Sequence, residues 1–102
     1  MRIITETRLN QACEKHPDAK ASIQAWKKLV KFQRWNSFTD IKTTVPFATD
    51  QVRNFVVFDI GGNKYRLITC INYNKKTIYI RDFLTHAEYS KNNWKNDEWF
   101  GS

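Results

Sequence analysis

The sequence predicts an α+β fold for a single domain over residues 1–102, and three observations support this prediction. The chain has 102 residues, which is enough for one hydrophobic core and too few for two. Apolar residues in the first half recur at helical spacing. Apolar runs in the second half are bounded by turn residues, as in β-strands. We therefore expect an N-terminal strand, an αα-hairpin and a three-stranded antiparallel meander, which form one sheet with the helices on one face.

The first half supplies the first strand and both helices. Arg2-Ile3-Ile4-Thr5 is short and β-branched, which favours a strand. A short helix is expected over residues 6–15, and His16-Pro17-Asp18 interrupts it because proline favours the first turn of a new helix. The second helix runs to about Phe32, and its apolar residues are Ala19, Ile23, Trp26, Leu29 and Val30.

The second half changes to the pattern of a β-sheet. Ser37-Phe38-Thr39-Asp40 resembles a capping box and predicts one helical turn before the sheet. Three strands are then expected, at residues 55–60, 63–73 and 76–84. Gly61-Gly62 is a two-residue hairpin signal, and Asn74-Lys75 is a second candidate turn. Residues from Thr85 onward are expected to form a polar tail, whose last two residues, Gly101-Ser102, are typical of a cloning remnant.

Side chains alternate between the two faces of a strand, so the hairpin register predicts where the charges lie. With the glycine pair as the loop, Asp59 lies opposite Lys64, and an ion pair is expected between them. With the second turn as given, Arg66 lies opposite Phe83. The face turned away from the helices then carries three cations and two aromatic rings, namely Lys64, Arg66, Arg81, Tyr79 and Phe83. This set is typical of a surface that binds phosphate and bases, and ordinary solvated charge is the alternative interpretation.

The charge balance indicates a polyanionic partner. Lys and Arg number 17 against 10 Asp and Glu, which gives a net charge of +7. Nucleic acid, an acidic protein or a membrane surface would each fit this charge. No apolar stretch approaches the length of about 18 residues that a membrane-spanning helix needs, and the N-terminus lacks a signal-peptide pattern. Cys13 and Cys70 form neither a disulfide framework nor a zinc motif, so the chain is expected in the reducing cytoplasm.

Four segments across about residues 2–90 carry a family resemblance: Arg2-Ile3-Ile4, Lys15-His16-Pro17-Asp18-Ala19, Gly62-Asn63-Lys64-Tyr65-Arg66-Leu67, and Tyr79-Ile80-Arg81 followed by Thr85-His86-Ala87-Glu88-Tyr89. In order and spacing they resemble the HigB family of bacterial toxin–antitoxin toxins, which has the RelE-like ribonuclease fold. Ser90 departs from the pattern, because family members often have an acid there. The tail that contains Trp94 and Trp99 matches nothing in the family.

The resemblance implies the toxin of a type II toxin–antitoxin system, an endoribonuclease that cleaves mRNA and inhibits translation. Cleavage at the ribosome is expected, and cleavage of free RNA stays open. The implied partners are mRNA, the ribosome and a HigA-like helix-turn-helix antitoxin, with operator DNA bound only through that antitoxin. No cofactor, metal ion or membrane is expected to take part.

The implied reaction is a metal-independent attack of a ribose 2′-hydroxyl on the adjacent phosphate. The sequence has no clustered carboxylates of the kind that two-metal catalysis requires. The reaction needs cations for the charge at phosphorus and groups that transfer protons. Arg66 and Arg81 suit the first role, Lys64 can add charge, and His86 is the acid–base candidate because imidazole titrates near neutral pH. Tyr89 can orient a group or stack on a base.

Other functions fit parts of the same pattern. A basic nucleic-acid-binding module without catalysis would explain the charge and the aromatic residues, and it would leave mRNA intact. A RelE-fold toxin that acts on gyrase would also leave mRNA intact, but supercoiling would fail. An adaptor for an acidic protein would bind tightly without arresting growth.

Overall fold

The computed structural model describes residues 1–102 and confirms the α+β class. The helices are α1 (Glu6–Lys15), α2 (Lys20–Lys31), α3 (Phe38–Thr44) and α4 (His86–Ser90), and two 3₁₀ turns lie at Pro17–Ala19 and Asn93–Asn96. The strands are β1 (Arg2–Ile4), β2 (Thr49–Val52), β3 (Phe55–Ile60), β4 (Tyr65–Asn72) and β5 (Thr77–Thr85). None of the helices has the length and apolar character needed to cross a membrane.

The five strands form one mixed sheet in the order β1-β5-β4-β3-β2. β1 is parallel to β5, and all other neighbours are antiparallel. β2 was not expected from the sequence, because Thr49-Asp50-Gln51-Val52 lacks the apolar run of a central strand. It pairs only with β3, and an edge strand tolerates the exposed polar residues Asp50 and Gln51.

The main core lies between the sheet and helices α1, α2 and α3, on what we call the inner face. The residues that α2 buries are Ile23, Trp26 and Val30, which follow the spacing seen in the sequence. Trp26 packs edge-on against Phe58 of β3, with 5.4 Å between the ring centroids. Both rings are fully buried, so this contact anchors α2 to the centre of the sheet.

The two turns of the sheet are longer than the sequence suggested. The loop between β3 and β4 has four residues, 61–64, rather than two, and the turn at 73–76 also has four. The first three residues of the 61–64 loop have φ values of 66°, 62° and 79°, and a two-residue loop cannot hold three such residues. The longer loop shifts the register between β3 and β4 by two residues, so each side chain stays on its predicted face. Asp59 lies opposite Arg66, and the expected pairing of Asp59 with Lys64 is wrong.

A β-bulge changes the faces of β5. The register between β4 and β5 shifts at Ile68 and Thr69, which leaves Arg81 without a partner in the ladder. An extra residue reverses the alternation beyond it. Phe83 therefore lies opposite Leu67 on the inner face, and the prediction that Phe83 is on the outer face is wrong.

The C-terminal tail (residues 85–102) covers the outer face of the sheet. Trp94 is buried there against Phe55, Val57 and Ile68, in a second and smaller hydrophobic core. The Trp94 ring stacks on Phe55, with 6.4 Å between the centroids. The outer face is therefore covered over these central residues, and the candidate site has to lie where the tail begins.

Candidate active site

The candidate residues meet at the end of the sheet where β4 starts and β5 ends. Tyr65, the first residue of β4, pairs with Thr85, the last residue of β5. α4 begins at the next residue, and the backbone N–H of His86 donates to the carbonyl of Lys64 over 3.0 Å. One loop, two strand ends and one helix N-terminus therefore bring Lys64 and His86 together.

The start of α4 is fixed by a capping box that the sequence analysis missed. The Glu88 N–H donates to Thr85 Oγ1 over 3.2 Å, and the Thr85 N–H donates to Glu88 Oε1 over 2.9 Å. The Thr85 backbone N–H holds the pKa of Glu88 below its ordinary value, so this carboxylate stays charged. The spacing Thr85-x-x-Glu88 is visible in the sequence. However, α4 has only five residues, which is too short for the repeated apolar residues that indicate a helix.

Arg66 lies on the outer face and is only 8% exposed. Its Nε is 3.1 Å from Asp59 Oδ1. Its Nη1 donates to the carbonyls of Asn63 and Tyr65 over 3.1 and 3.2 Å, and Nη2 donates to Asn63 Oδ1 over 2.5 Å. A guanidinium has five N–H groups, so one N–H on Nη2 is left for a ligand.

Tyr89 supports Arg66 from α4. The guanidinium carbon of Arg66 lies 5.5 Å from the centroid of the Tyr89 ring, within the range of a cation–π contact. The same ring stacks on Trp94 with 5.1 Å between the centroids and 11° between the planes. Burial raises the pKa of Tyr89, so its hydroxyl stays protonated at neutral pH. The tyrosine is therefore suited to hold Arg66 in place, and not to act as a base.

Lys64 is the exposed cation of the site. Its side chain is 70% exposed, and Nζ is 3.9 Å from Asp18 Oδ2. Asp18 also accepts a hydrogen bond from the Tyr65 hydroxyl over 2.7 Å, which lowers the pKa of Asp18 and raises the pKa of Tyr65. A long, exposed ion pair of this kind is weak, so the Lys64 ammonium can turn to a phosphate. In the sequence, Asp18 is part of a helix break, and no local pattern indicates its contacts with Lys64 and Tyr65.

His86 is exposed at the first turn of α4. The Ser90 hydroxyl donates to the His86 carbonyl over 3.0 Å, and its oxygen lies 3.5 Å from His86 Nδ1. Because the one hydrogen of the hydroxyl is used, Ser90 Oγ can only accept from Nδ1–H. We assign the neutral ring to the tautomer with hydrogen on Nδ1, which leaves Nε2 as a free acceptor.

Arg81 is separate from these residues. Its Nε and Nη2 each donate to one carboxylate oxygen of Asp97, both over 2.8 Å. The Arg81 guanidinium carbon lies 3.8 Å from the centroid of the Trp99 ring. The hydrogen-bonded pair raises the pKa of Arg81 and lowers that of Asp97. The tail covers the guanidinium of Arg81 on the outer face, so its Nε and Nη2 are occupied by Asp97 and are not open to a phosphate.

His16 is a further neighbour of the site to which the sequence analysis gave no role. Its ring lies 4.9 Å from that of Tyr65 and 6.0 Å from that of Phe83, and its Nε2 is buried without a hydrogen-bond partner. His16 therefore packs against Tyr65 at the start of β4, on the inner face of the sheet. No local pattern in the sequence indicates this contact, since His16 and Tyr65 come from distant segments.

The fold and the family comparison define the class of protein as a RelE-like toxin. The family model described as HigB toxin, "RelE-like toxic component of a toxin-antitoxin system", matches residues 19–92. The matched residues include α2, the 61–64 loop, β4, β5 and α4. The chain belongs to the HigB toxin family.

Individual relatives are similar over most of the chain. The "mRNA interferase HigB" of Escherichia coli O6:H1 (strain CFT073) is 27% identical over 93 residues, which cover 89% of this chain and 90% of the relative. The "mRNA interferase toxin HigB" of Escherichia coli K12 is 28% identical over 91 residues, or 87% of this chain and 88% of the relative. The "mRNA interferase HigB" of Shigella flexneri is similar to the same degree.

Proposed function

We propose that this toxin is an endoribonuclease that cleaves mRNA and thereby inhibits translation. The observation that carries the proposal is that His86 and Lys64, both exposed, are joined through their backbones at the strand end where Arg66 holds its oriented guanidinium. Proton transfer and charge stabilisation at phosphorus are the two requirements of phosphodiester cleavage. The relatives named above as mRNA interferases support the same substrate class.

The proposed reaction is metal-independent and uses the RNA's own 2′-hydroxyl. The 2′-oxygen attacks the adjacent phosphorus, and the bond between phosphorus and the 5′-oxygen breaks. Nε2 of His86 takes the proton from the 2′-hydroxyl, and the 5′-oxygen gains a proton from water. The free N–H of Arg66 and the ammonium of Lys64 stabilise the charge on the non-bridging oxygens. The products are a 2′,3′-cyclic phosphate and a 5′-hydroxyl.

Two other residues have supporting roles in this proposal. Tyr89 holds the guanidinium of Arg66 in place and offers its ring edge to a base. Arg81, which the sequence analysis placed among the catalytic candidates, holds the tail through Asp97 and does not touch the substrate.

Membership in the toxin family supports a proposal about the cellular setting. We propose that a HigA-like helix-turn-helix antitoxin neutralises this toxin, that operator DNA is bound only through it, and that the toxin acts on mRNA at the ribosome in the cytoplasm. Residues 1–102 act as one RelE-like domain, in which α1 and α2 correspond to the αα-hairpin and β3 to β5 to the meander.

The test combines end mapping with a variant of the proton-transferring residue. The wild-type protein is incubated with mRNA in a translating extract, and the chemistry of the new ends is mapped. We expect breaks that carry 2′,3′-cyclic phosphate and 5′-hydroxyl ends, and we expect His86→Ala to reduce cleavage by about 100-fold. Lys75→Ala, in the turn at 73–76, is an exposed control and should cleave normally. Full cleavage by His86→Ala, or new ends that carry a 3′-hydroxyl and a 5′-phosphate, would contradict the mechanism.

A further inference from the structure

A groove lies at the end of the molecule away from the candidate active site. It runs between β1 and the C-terminal half of α2, has a volume of about 610 Å³, and we call it the β1–α2 groove. α2 has 12 residues and is therefore about 18 Å long. Its N-terminal end follows the 3₁₀ turn that carries Asp18, whereas the groove is at its C-terminal end. A segment bound in the groove would therefore not itself touch the residues of the candidate active site.

The groove has an apolar floor and an exposed aromatic ring. Met1 is buried, Ile3 is half-buried, and Phe32 follows the last turn of α2. Phe32 is 78% exposed, and it is the one large apolar side chain that the fold leaves in solvent. Buried anchors of this kind dominate binding energy in protein interfaces, so an uncovered phenylalanine beside apolar neighbours suggests a covering partner.

The rim of the groove is strongly basic. Arg2, Lys28 and Lys31 are exposed along the rim. Lys27 Nζ is 3.4 Å from Oε1 of Glu6, which is the one carboxylate that lines the groove. Four cations against one anion place a local charge of +3 around the apolar floor. A partner that fits must combine an apolar anchor with several acidic groups.

One wall of the groove is the edge of the sheet. β1 stands at the end of the strand order and pairs only with β5, so its outer edge has no neighbouring strand. An open edge can accept the backbone of another chain. RNA fits the groove less well than a peptide does, because the floor is aliphatic and Phe32 is a single ring, whereas strand binding of RNA relies on several stacked bases.

We propose that the β1–α2 groove is the anchoring site of the antitoxin, which inserts an acidic segment with one large apolar side chain over Phe32. The identity of the partner rests on the membership of this chain in a toxin–antitoxin family. The location rests on the groove alone. This placement assigns Lys27, Lys28 and Lys31 of α2 to a protein partner. It also separates the surface that binds the antitoxin from the residues that cleave RNA.

The test separates toxicity from neutralisation. Phe32→Ser and the double variant Lys28→Glu/Lys31→Glu are expressed with and without the cognate antitoxin. All these side chains are exposed, so the fold should be kept, which circular dichroism checks. We expect both variants to arrest growth like the wild type and to escape neutralisation. Their affinity for the purified antitoxin should fall by about 100-fold in titration calorimetry.

The control is the charge-matched double variant Lys42→Glu/Lys75→Glu, whose residues are exposed and lie outside the groove. It should be neutralised normally. Groove variants that are still neutralised with unchanged affinity would overturn the proposal. So would variants that bind the antitoxin but lose toxicity, since the groove would then serve RNA or the ribosome. If the wild type does not arrest growth, the proposed function fails, and the affinity measurement still decides the groove.

Discussion

At the residue scale, Arg66 shows how a buried cation can stay available to a substrate. Burial of an unpaired guanidinium would be costly, and Asp59 offsets this cost from the facing strand. Asn63 then fixes the plane of the guanidinium through its carbonyl and its side chain. One N–H is left over, and it does not need to reorganise when a phosphate arrives. Such preorganised donors are the effective ones in catalysis.

The role of Arg66 as a preorganised donor is tested with a variant that keeps the positive charge. Arg66→Lys can still pair with Asp59, but an ammonium on a flexible chain cannot bind Asp59, Asn63 and a phosphate in fixed geometry. We expect kcat for RNA cleavage to fall by about 100-fold. The hydrogen bonds lost to Asn63 and Tyr65 should also lower the midpoint of urea unfolding, but the variant should stay folded under assay conditions, which circular dichroism checks. Arg34→Lys, at an exposed position, is the control. If Arg66→Lys cleaves RNA normally, Arg66 has only a structural role.

At the element scale, the sequence predicted the helices better than the strand pairings. The spacing of Ile23, Trp26 and Val30 defines a helix face without reference to the rest of the chain. The registers of the β3–β4 and β4–β5 pairs depend on loop length and on one extra residue at Arg81. Neither of these can be recognised from the spacing of apolar residues. For this reason the sequence could not predict that Phe83 turns to the inner face or that Arg81 pairs with Asp97 of the tail.

The contact between β5 and the tail makes a prediction about pH. Asp97 accepts two hydrogen bonds from Arg81, which lower its pKa, so the pair stabilises the fold at neutral pH and loses this contribution as pH falls through the lowered pKa. Asp97→Asn should therefore cost about 2 kcal/mol of unfolding free energy at about pH 7 and almost nothing near pH 2. Urea unfolding at both pH values measures this difference. Glu98→Gln, at an exposed position, is the control. If the loss of unfolding free energy in Asp97→Asn is the same at both pH values, the ion pair with Arg81 is not the source of that loss.

At the scale of the whole molecule, one sheet joins two hydrophobic cores. The inner core lies under α1, α2 and α3, and the outer core lies under the tail. Neighbouring residues of β3 contribute to different cores, since Phe58 faces the helices and Val57 faces Trp94. The strand cannot lose one core without disturbing the other. We therefore expect the tail to be an integral part of the fold and the candidate site at its start to depend on both cores.

Substitution of Trp94 tests this coupling. Trp94 is buried against Phe55, so Trp94→Ala leaves a cavity in the outer core and should cost roughly 3–5 kcal/mol of unfolding free energy. Because the sheet is shared, the melting temperature should fall by more than about 10 °C for the helical signal as well as for the aromatic signal, in one transition. Far- and near-ultraviolet circular dichroism follow the two signals. Phe32→Ala removes an exposed ring of similar kind and should shift neither. A tail that melts alone, ahead of helices that melt as in the wild type, would show that the outer core is a separate layer.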